Sequence, residues 1–401
     1  MKILHTSDWH LGQNFMGKSR VEEHSAFLTW LVEVIEEKEV EVLLVSGDIF
    51  DTGTPPNYAL ELYYNFLKQL SLSNTLKTTI ITAGNHDSIS TLKAPKQLLE
   101  ALNVHVVVNG DEDENIIIPI KENEKLQAIV CAVPFLRDSV IRDSLGGETI
   151  TQKETLANNG IKMFYETAHT KALQLKQNND IPLIAMGHLT TVGGRSSDSE
   201  REIYIGGTLD IGGDYLGGLF DYVALGHLHI NQTVGSNHVR YSGSPIPLSF
   251  AESKNTQKVN LVTLENQTVD VEKLEVPLTR KLIVLKGDSQ SIISELKTIE
   301  DKNAWIEVHI KDDNPLYANT QIREEATKLE LLLLAVKIDK SEKQLQAKEL
   351  KAISLDELSI NDVFGKRLEL EEIEDKELQE QLILNFKQVV ANLHENGTQN
   401  L

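Results

Sequence analysis

Apolar residues in the first half of the chain gather in short, β-branched runs that stop at a small or polar residue and then at Asp, Asn or His. Ile3-Leu4-His5-Thr6 runs into Ser7-Asp8-Trp9-His10, Val42-Leu43-Leu44-Val45 into Ser46-Gly47-Asp48, and Thr79-Ile80-Ile81-Thr82 into Ala83-Gly84-Asn85-His86-Asp87. Further on, Pro182 to Met186 runs into Gly187-His188, and Tyr222 to Leu225 into Gly226-His227-Leu228-His229. Continuous runs of this length predict strands buried on both faces. Between the early runs, Phe27, Leu28, Leu31, Val34 and Ile35 share one helical face, as do Leu60, Tyr63, Tyr64 and Leu67. Such alternation predicts an α/β fold with helices on the sheet faces. In open α/β sheets, ligands bind beyond the carboxyl ends of the strands. Each of these polar clusters stands at such an end.

The remaining pattern is plainer. Ile116-Ile117-Ile118 and Ala128 to Val133 read as strands, and Thr155 to Leu175 as a helix. Short strands and turns follow from Val239 to Thr263, with Gly243-Ser244-Pro245-Ile246-Pro247 among the turns. After Pro277 come a strand (Leu282 to Leu285), a helix (Ser289 to Ile299), a strand (Trp305 to Ile310), a helix (Thr320 to Leu331) and a strand (Leu332 to Ile338). This reads as a small separate α/β domain. A Lys/Gln-rich stretch from Asp339 to Lys351 has the composition of a linker. Beyond it, Leu378, Leu382, Phe386, Val389 and Leu393 recur at helical spacing. Such a stripe either docks on its own domain or binds a partner helix.

Length and composition narrow the class. At 401 residues the chain exceeds what one hydrophobic core usually supports, so a large domain with smaller appendages is expected. No apolar run is long enough to span a bilayer, and the start is too quickly polar for a signal peptide. The single cysteine, Cys131, excludes an internal disulfide framework and a thiolate metal cluster and fits a reducing cytoplasm. A metal site here must use imidazole and carboxylate. The formal net charge of −21 argues against nucleic acid on its face. It loses force where bound divalent cations reverse the local field, and much of the acid lies in the tail between Glu369 and Glu380.

Of the twelve histidines, His10, His86, His188, His227 and His229 stand at strand ends beside Asp8, Asp48 and Asn85. One such histidine is more often structural than functional, but a shared position at successive strand ends points to a site. Mixed imidazole and carboxylate donors suit Mn, Fe or Zn better than Ca or Mg. The donors Asp8, His10, Asp48, Asn85, His188, His227 and His229 are too many for one tetrahedral ion and fit two ions with a bridging carboxylate, for which Asp48 is the candidate. Two ions can clamp both oxygens of a phosphoryl displacement and activate water near neutral pH. Asp51 and Asp87 are placed to hold an imidazole N–H from behind. Gly12 to Ser19 satisfies the P-loop pattern, but Asp8-Trp9-His10 intervenes between its strand and Gly12, where a P-loop would begin.

Together, Asp8-x-His10, Gly47-Asp48-x-x-Asp51, Gly84-Asn85-His86-Asp87, Gly187-His188 and Gly226-His227-x-His229 resemble the signature set of the calcineurin-like metallophosphoesterases. Asp8 to Phe15, Gly47 to Gly53 and Gly243 to Phe250 resemble in particular the nuclease subunits of bacterial double-strand-break repair complexes, and the likeness covers nearly the whole chain. It implies metallophosphoesterase sheet layers flanked by helices over residues 1–277 and a small α/β capping domain that guides DNA over 278–340. A linker and C-terminal partner-binding helices would occupy 341–401. It also implies one ion on Asp8, His10, Asp48 and His229 and a second on Asp48, Asn85, His188 and His227, manganese being the family's usual metal. His86 is then not a ligand but contacts the phosphate and assists the leaving oxygen. Asp51 stands where archaeal and eukaryotic relatives commonly carry histidine.

The implied activity is 3′ to 5′ exonuclease action on double-stranded ends and endonuclease action on single strands and hairpins. The implied partner is an ATPase whose coiled-coil base receives the helix bearing Leu378, Leu382, Phe386, Val389 and Leu393. A homodimer within a heterotetramer is also implied, with Tyr63, Tyr64 and Leu67 as candidate surface. Lys18, Arg20 and Arg195 are candidate DNA contacts. The competing reading is a phosphatase or small-molecule phosphodiesterase on the same scaffold. Protein phosphatases of the superfamily carry Arg after the second Asp of G-D-x-x-D and end the next motif in Glu, where this chain has Thr52 and Asp87. A catalytically dead interaction subunit would lack ligands, and none is missing.

Overall fold

In the computed structural model, residues 1–110, 115–141, 150–196, 200, 211–265, 268–338 and 386 are described. The chain forms two units, Met1–Lys337 and Ile338–Leu401. Of the expected partner-binding stripe, Leu378, Leu382, Val389 and Leu393 lie outside the described residues, and Phe386 is helical.

Two six-stranded sheets stack in the first unit. One runs in the order Thr268–Glu275, Lys258–Glu265, Lys2–Thr6, Val42–Ser46, Thr78–Thr82, Val104–Val107, with the last four strands parallel. The other runs Gln232–Val234, Ser236–Tyr241, Tyr222–Gly226, Leu183–His188, Lys125–Ala132, Ile117–Glu122, with its four central strands parallel. The apolar runs serve two cores by strict alternation. Ile3, Val42, Leu44 and Ile80 pack toward the second sheet. Leu4, Leu43, Val45 and Ile81 pack under the helices Val21–Glu37 and Asn57–Leu70. The second sheet is covered in turn by the helix Ile150–Lys176, whose Tyr165, Ala168 and Ala172 are buried against it. The result is the α/β arrangement of sheet layers flanked by helices.

Polar residues inside the sandwich pin the two sheets. Ser46 Oγ donates to Ala224 O at 3.0 Å, and His5 lies 2.9 Å from Tyr222 Oη and 3.2 Å from Leu225 O. Burial pushes the His5 pKa from 6.5 down to about 3, against the opposing carbonyl of Leu225. Folded His5 is therefore neutral at pH values where an unfolded histidine takes up a proton. The unfolded chain binds more protons in this window, so folding stability falls as pH drops from about 6.5 toward 3. Buried His24, also held at about 3, acts in the same direction. His5→Asn is expected to lower stability at neutral pH and to remove part of the acid slope, up to about 1.4 kcal/mol per pH unit. Urea midpoints at two pH values spanning the window test this; equal slopes in both proteins would count against it.

Strands Leu282–Gly287, Trp305–Ile310 and Leu332–Ile338 form a third sheet with Trp305–Ile310 at its centre. With the helices Ser289–Leu296 and Pro315–Lys328 it encloses a core of its own around Ile292, Ile306, Val308 and Ile322. A separate cluster of Phe15, Phe250, Leu282 and Trp305 joins this small sheet to the large sandwich. Asp288 and Asn314 cap the two helices through Ser291 N and Tyr317 N.

Two sequence expectations need correction. Tyr63 and Leu67 are 1% exposed and sit in the core beneath the first sheet, so of the expected dimer surface only Tyr64 faces outward. Gly12–Ser19 opens no helix: it forms a hairpin pairing Asn14–Phe15 with Lys18–Ser19, as the displaced P-loop pattern requires.

Candidate metal centre

The loops after Lys2–Thr6 and Val42–Ser46 run side by side beyond the sheet edge. Asp8 N donates to Gly47 O, His10 N to Asp48 O and Leu11 N to Ile49 O, at 3.0, 3.0 and 2.9 Å. These bonds set Asp8, His10 and Asp48 against one another. The backbone turns sharply to do so: Asp8, His10, Asp48 and His227 hold φ of 53°, 47°, 50° and 95°. Non-glycine residues rarely occupy this left-handed region, and its clustering here marks a functional site. Two motif glycines are explained by crowding. A Cβ on Gly47, itself at φ 85°, would lie 2.2 Å from His188 Nδ1, and one on Gly84 would lie 2.1 Å from Asp48 Oδ1.

Two donor groups meet at this edge. One ligand atom from each of Asp8, His10 and His229 lies within 4.8 Å of the others, and the same holds for Asp48, His188 and His227. A third such group, His10, Asp48 and His86, links them. Asn85 Oδ1 joins the second group 2.9 Å from His188 Nε2. Asp48 sits between the two: its Oδ2 is 3.6 Å from His10 Nε2 and 3.3 Å from His188 Nε2, and its Oδ1 accepts from His86 N at 2.9 Å. Asp8 Oδ1 accepts from His227 N, and Oδ2 from Ser7 Oγ.

The imidazoles are turned alike. His10 Nδ1 faces Asp51 Oδ1 at 3.2 Å, His188 Nδ1 faces Ser46 O at 3.0 Å and His229 Nδ1 faces Glu252 Oε1 at 3.2 Å. Each partner is an acceptor, so Nδ1 carries the proton and Nε2 is turned into the site, the usual device by which a ligand histidine is oriented. Asp51 thus stands behind His10. Asp87 holds no imidazole; its carboxylate accepts from Ile49 N, Phe50 N and Gly84 N and so fixes both ligand loops. Glu252 was missed in the sequence because it is remote from the strand-end motifs. The available signal was an acid closing the apolar stretch Ile246 to Phe250.

Electrostatics test whether these residues fit a cation. Asp8 and Asp48 are at most 1% exposed. Burial pushes the Asp8 carboxyl up, while the neighbouring imidazoles hold Asp48 well below the usual range despite its burial. His188 is pushed up to about 9 because Asp48 outweighs burial, and His229 to about 9 because Glu252 and Asp8 do. Burial and the His188 charge press His227 down to about 3. Burial and the Asp48 charge raise Asp87 to about 6. The buried carboxylates thus draw positive charge, and His10 Nε2 is buried without a hydrogen-bond partner. Oxygen and imidazole donors around buried negative charge fit divalent cations.

His86 is half-buried, with its ring 4.8 Å from that of His10 and its Nδ1 2.7 Å from Asp51 O. Lys18 and Arg195 are exposed. Arg20 is not a loop cation. It is fully buried, with Nε on Glu23 and one Nη on both Gln13 and Pro247 O, because its guanidinium fills the junction with the small sheet.

This geometry defines a metal-dependent phosphoesterase centre. The calcineurin-like phosphoesterase family matches residues 1–231 and the type 5 capsule protein repressor C-terminal domain matches residues 278–372. The chain belongs to the calcineurin-like phosphoesterases and, within them, to the SbcD family. It is 40% identical to the SbcD subunit of the SbcCD nuclease of Escherichia coli strain K12 over 94% of this chain and 95% of that one. The namesake of Rhodobacter capsulatus is 36% identical over 72% of each chain. That of Bacillus subtilis is 30% identical over 78% of this chain and 79% of its own.

Proposed function

We propose that this chain is the nuclease subunit of a DNA repair and recombination complex, hydrolysing phosphodiester bonds with two Mn²⁺ ions. The observation that carries the reading is the pair of donor groups joined through Asp48 at the ends of parallel strands. One set comprises Asp8, His10, Asp48 and His229, the other Asp48, Asn85, His188 and His227. When bound, the two ions supply Lewis acidity and water activation. The protein's own residues do the rest. Asp51, Ser46 and Glu252 hold three imidazoles with Nε2 inward, and Asp87 locks the loops that carry Asp48 and Asn85. His86, its Nδ1 committed to Asp51 O, offers Nε2 to the phosphate and protonates the departing oxygen.

The names of the relatives support a DNA substrate and a complex with an SbcC-type coiled-coil ATPase. On this reading the chain works in the cytoplasm as a homodimer within a heterotetramer. It degrades double-stranded ends 3′ to 5′ and opens single strands and hairpins. Residues 1–277 would form the nuclease domain, 278–340 the cap and 341–401 the partner-binding segment. Among the described residues no helix is long and apolar enough to cross a membrane. Lys18 and Arg195 are proposed to meet the DNA backbone.

The test is an assay of the purified chain on end-labelled duplex and hairpin DNA with Mn²⁺, with a chelator control, alongside a small aryl phosphomonoester. Mn²⁺-dependent shortening of the duplex is expected. Turnover of the monoester with intact DNA would instead favour a phosphatase.

A further inference from the structure

Glu252 is fully buried and both its oxygens are engaged, one by a residue of the metal centre and one by its own loop. Oε1 lies 3.2 Å from His229 Nδ1, and Oε2 accepts from Leu248 N at 2.8 Å. The loop that carries it is tied to His229 a second time, through Ser244 N to His229 O at 3.1 Å. The same loop is gripped from the other side by Arg20 and Gln13. Arg20 Nη1 donates to Pro247 O at 2.9 Å, Gln13 Nε2 to Leu248 O at 3.2 Å, and Arg20 Nη1 to Gln13 Oε1 at 3.3 Å.

Arg20 in turn rests on the small sheet. Its Nη2 is buried without a hydrogen-bond partner. What it has instead is aromatic: its guanidinium carbon lies 5.3 Å from the ring centre of Trp305 and 5.1 Å from that of Phe15. Trp305 opens the central strand of the small sheet. Arg280 approaches the same indole at 4.8 Å and donates to Glu23 Oε1, the oxygen that also accepts from Arg20 Nε. A second line runs through the rings alone, Trp305 stacked on Phe15 at 5.1 Å and Phe15 edge-on to Phe250 at 5.2 Å, two residues before Glu252. The small sheet therefore reaches the Glu252 loop by two routes, one through a buried cation and one through packed rings. Both converge on the carboxylate behind a single ligand imidazole.

We propose that Glu252 is the positioning residue of His229 and that the small sheet holds it through Trp305, Phe15 and Arg20, so that the His229 metal site senses how the small sheet is seated. The inference rests on the two-ion reading of the site. It makes the two ions unequal: the site containing His229 depends on this junction. The site built on Asn85, His188 and His227 does not, because His188 is oriented by Ser46 O from within the sandwich.

The experiment titrates the full chain with Mn²⁺ and follows free Mn²⁺ by electron paramagnetic resonance, with no nuclease turnover needed. In Glu252→Gln the amide oxygen can still accept from Leu248 N, but the amide nitrogen now meets the His229 N–H. One of the two sites is expected to weaken by about 10- to 100-fold, as for other partners behind metal-bound histidines, with the second site unchanged. Trp305→Ala is expected to weaken that same site by about 5-fold or more. The double variant should be no weaker than Glu252→Gln alone, since both act along one path. Trp305→Phe, which keeps a ring, should recover most of the loss and guards against a merely unfolded small sheet. A purely structural Glu252 would lower melting temperature without splitting the two affinities. Two wild-type ions bound equally well by Glu252→Gln and Trp305→Ala overturn the relay alone. A wild type that takes up no Mn²⁺ overturns the two-ion reading and the relay with it.

Discussion

Asp48→Ala is expected to eliminate measurable phosphodiester cleavage, a loss of at least about 1,000-fold, or roughly 4 kcal/mol of transition-state stabilisation. Asp48 is the one carboxylate within reach of imidazoles from both donor groups, and its Oδ1 also anchors the backbone at His86. Its removal takes a ligand from each ion, frees the loop that carries His86 and leaves the imidazoles of His10 and His188 without their shared anion. The measurements are Mn²⁺ stoichiometry and cleavage of linear duplex DNA on the same preparation. Near-normal cleavage by Asp48→Ala would falsify the shared-carboxylate arrangement.

His86→Ala separates binding from chemistry. The ring is half-exposed and edge-on to His10, and its Nδ1 is engaged by Asp51 O. Losing it leaves the backbone N–H that bonds Asp48 in place. Both Mn²⁺ affinities should therefore stay within experimental scatter of wild type, while cleavage falls by about 100- to 10,000-fold, the range for a lost general acid. If affinity and cleavage fell together, His86 would belong among the ligands and not beside them.

The ligand residues were legible because buried parallel strands write themselves as apolar runs, and because a site at their ends must begin where the run breaks. Asp8, Asp48, Asn85, His188 and His227 all follow that rule. Periodicity also located Trp305–Ile310 and Leu332–Ile338 with their observed bounds. Stacking of the two large sheets was not legible from the runs themselves. Leu43 and Leu44 look equivalent in the sequence, yet they serve different cores. Arg20 escaped for a different reason: a basic residue beside Lys18 and Ser19 reads as a surface loop, and only the aromatic junction explains its burial. Glu252 and the role of Asp87 depend on loops folding back across the site, which neither spacing nor hydropathy encodes.

The left-handed backbone at Asp8, His10, Asp48 and His227 has a consequence for how this protein tolerates change. A β-carbon at such a position is disfavoured by about 1–2 kcal/mol relative to glycine. Each of these side chains is therefore kept against the local preference of the peptide chain. Glycine at any of them would relax the backbone, and at Asp8 or Asp48 it would also discharge a buried anion, while disabling the reaction. Screens that reward heat resistance alone should accumulate inactive variants at these positions first. Thermal robustness and turnover are here opposed objectives, and raising one without losing the other requires substitutions away from the strand ends.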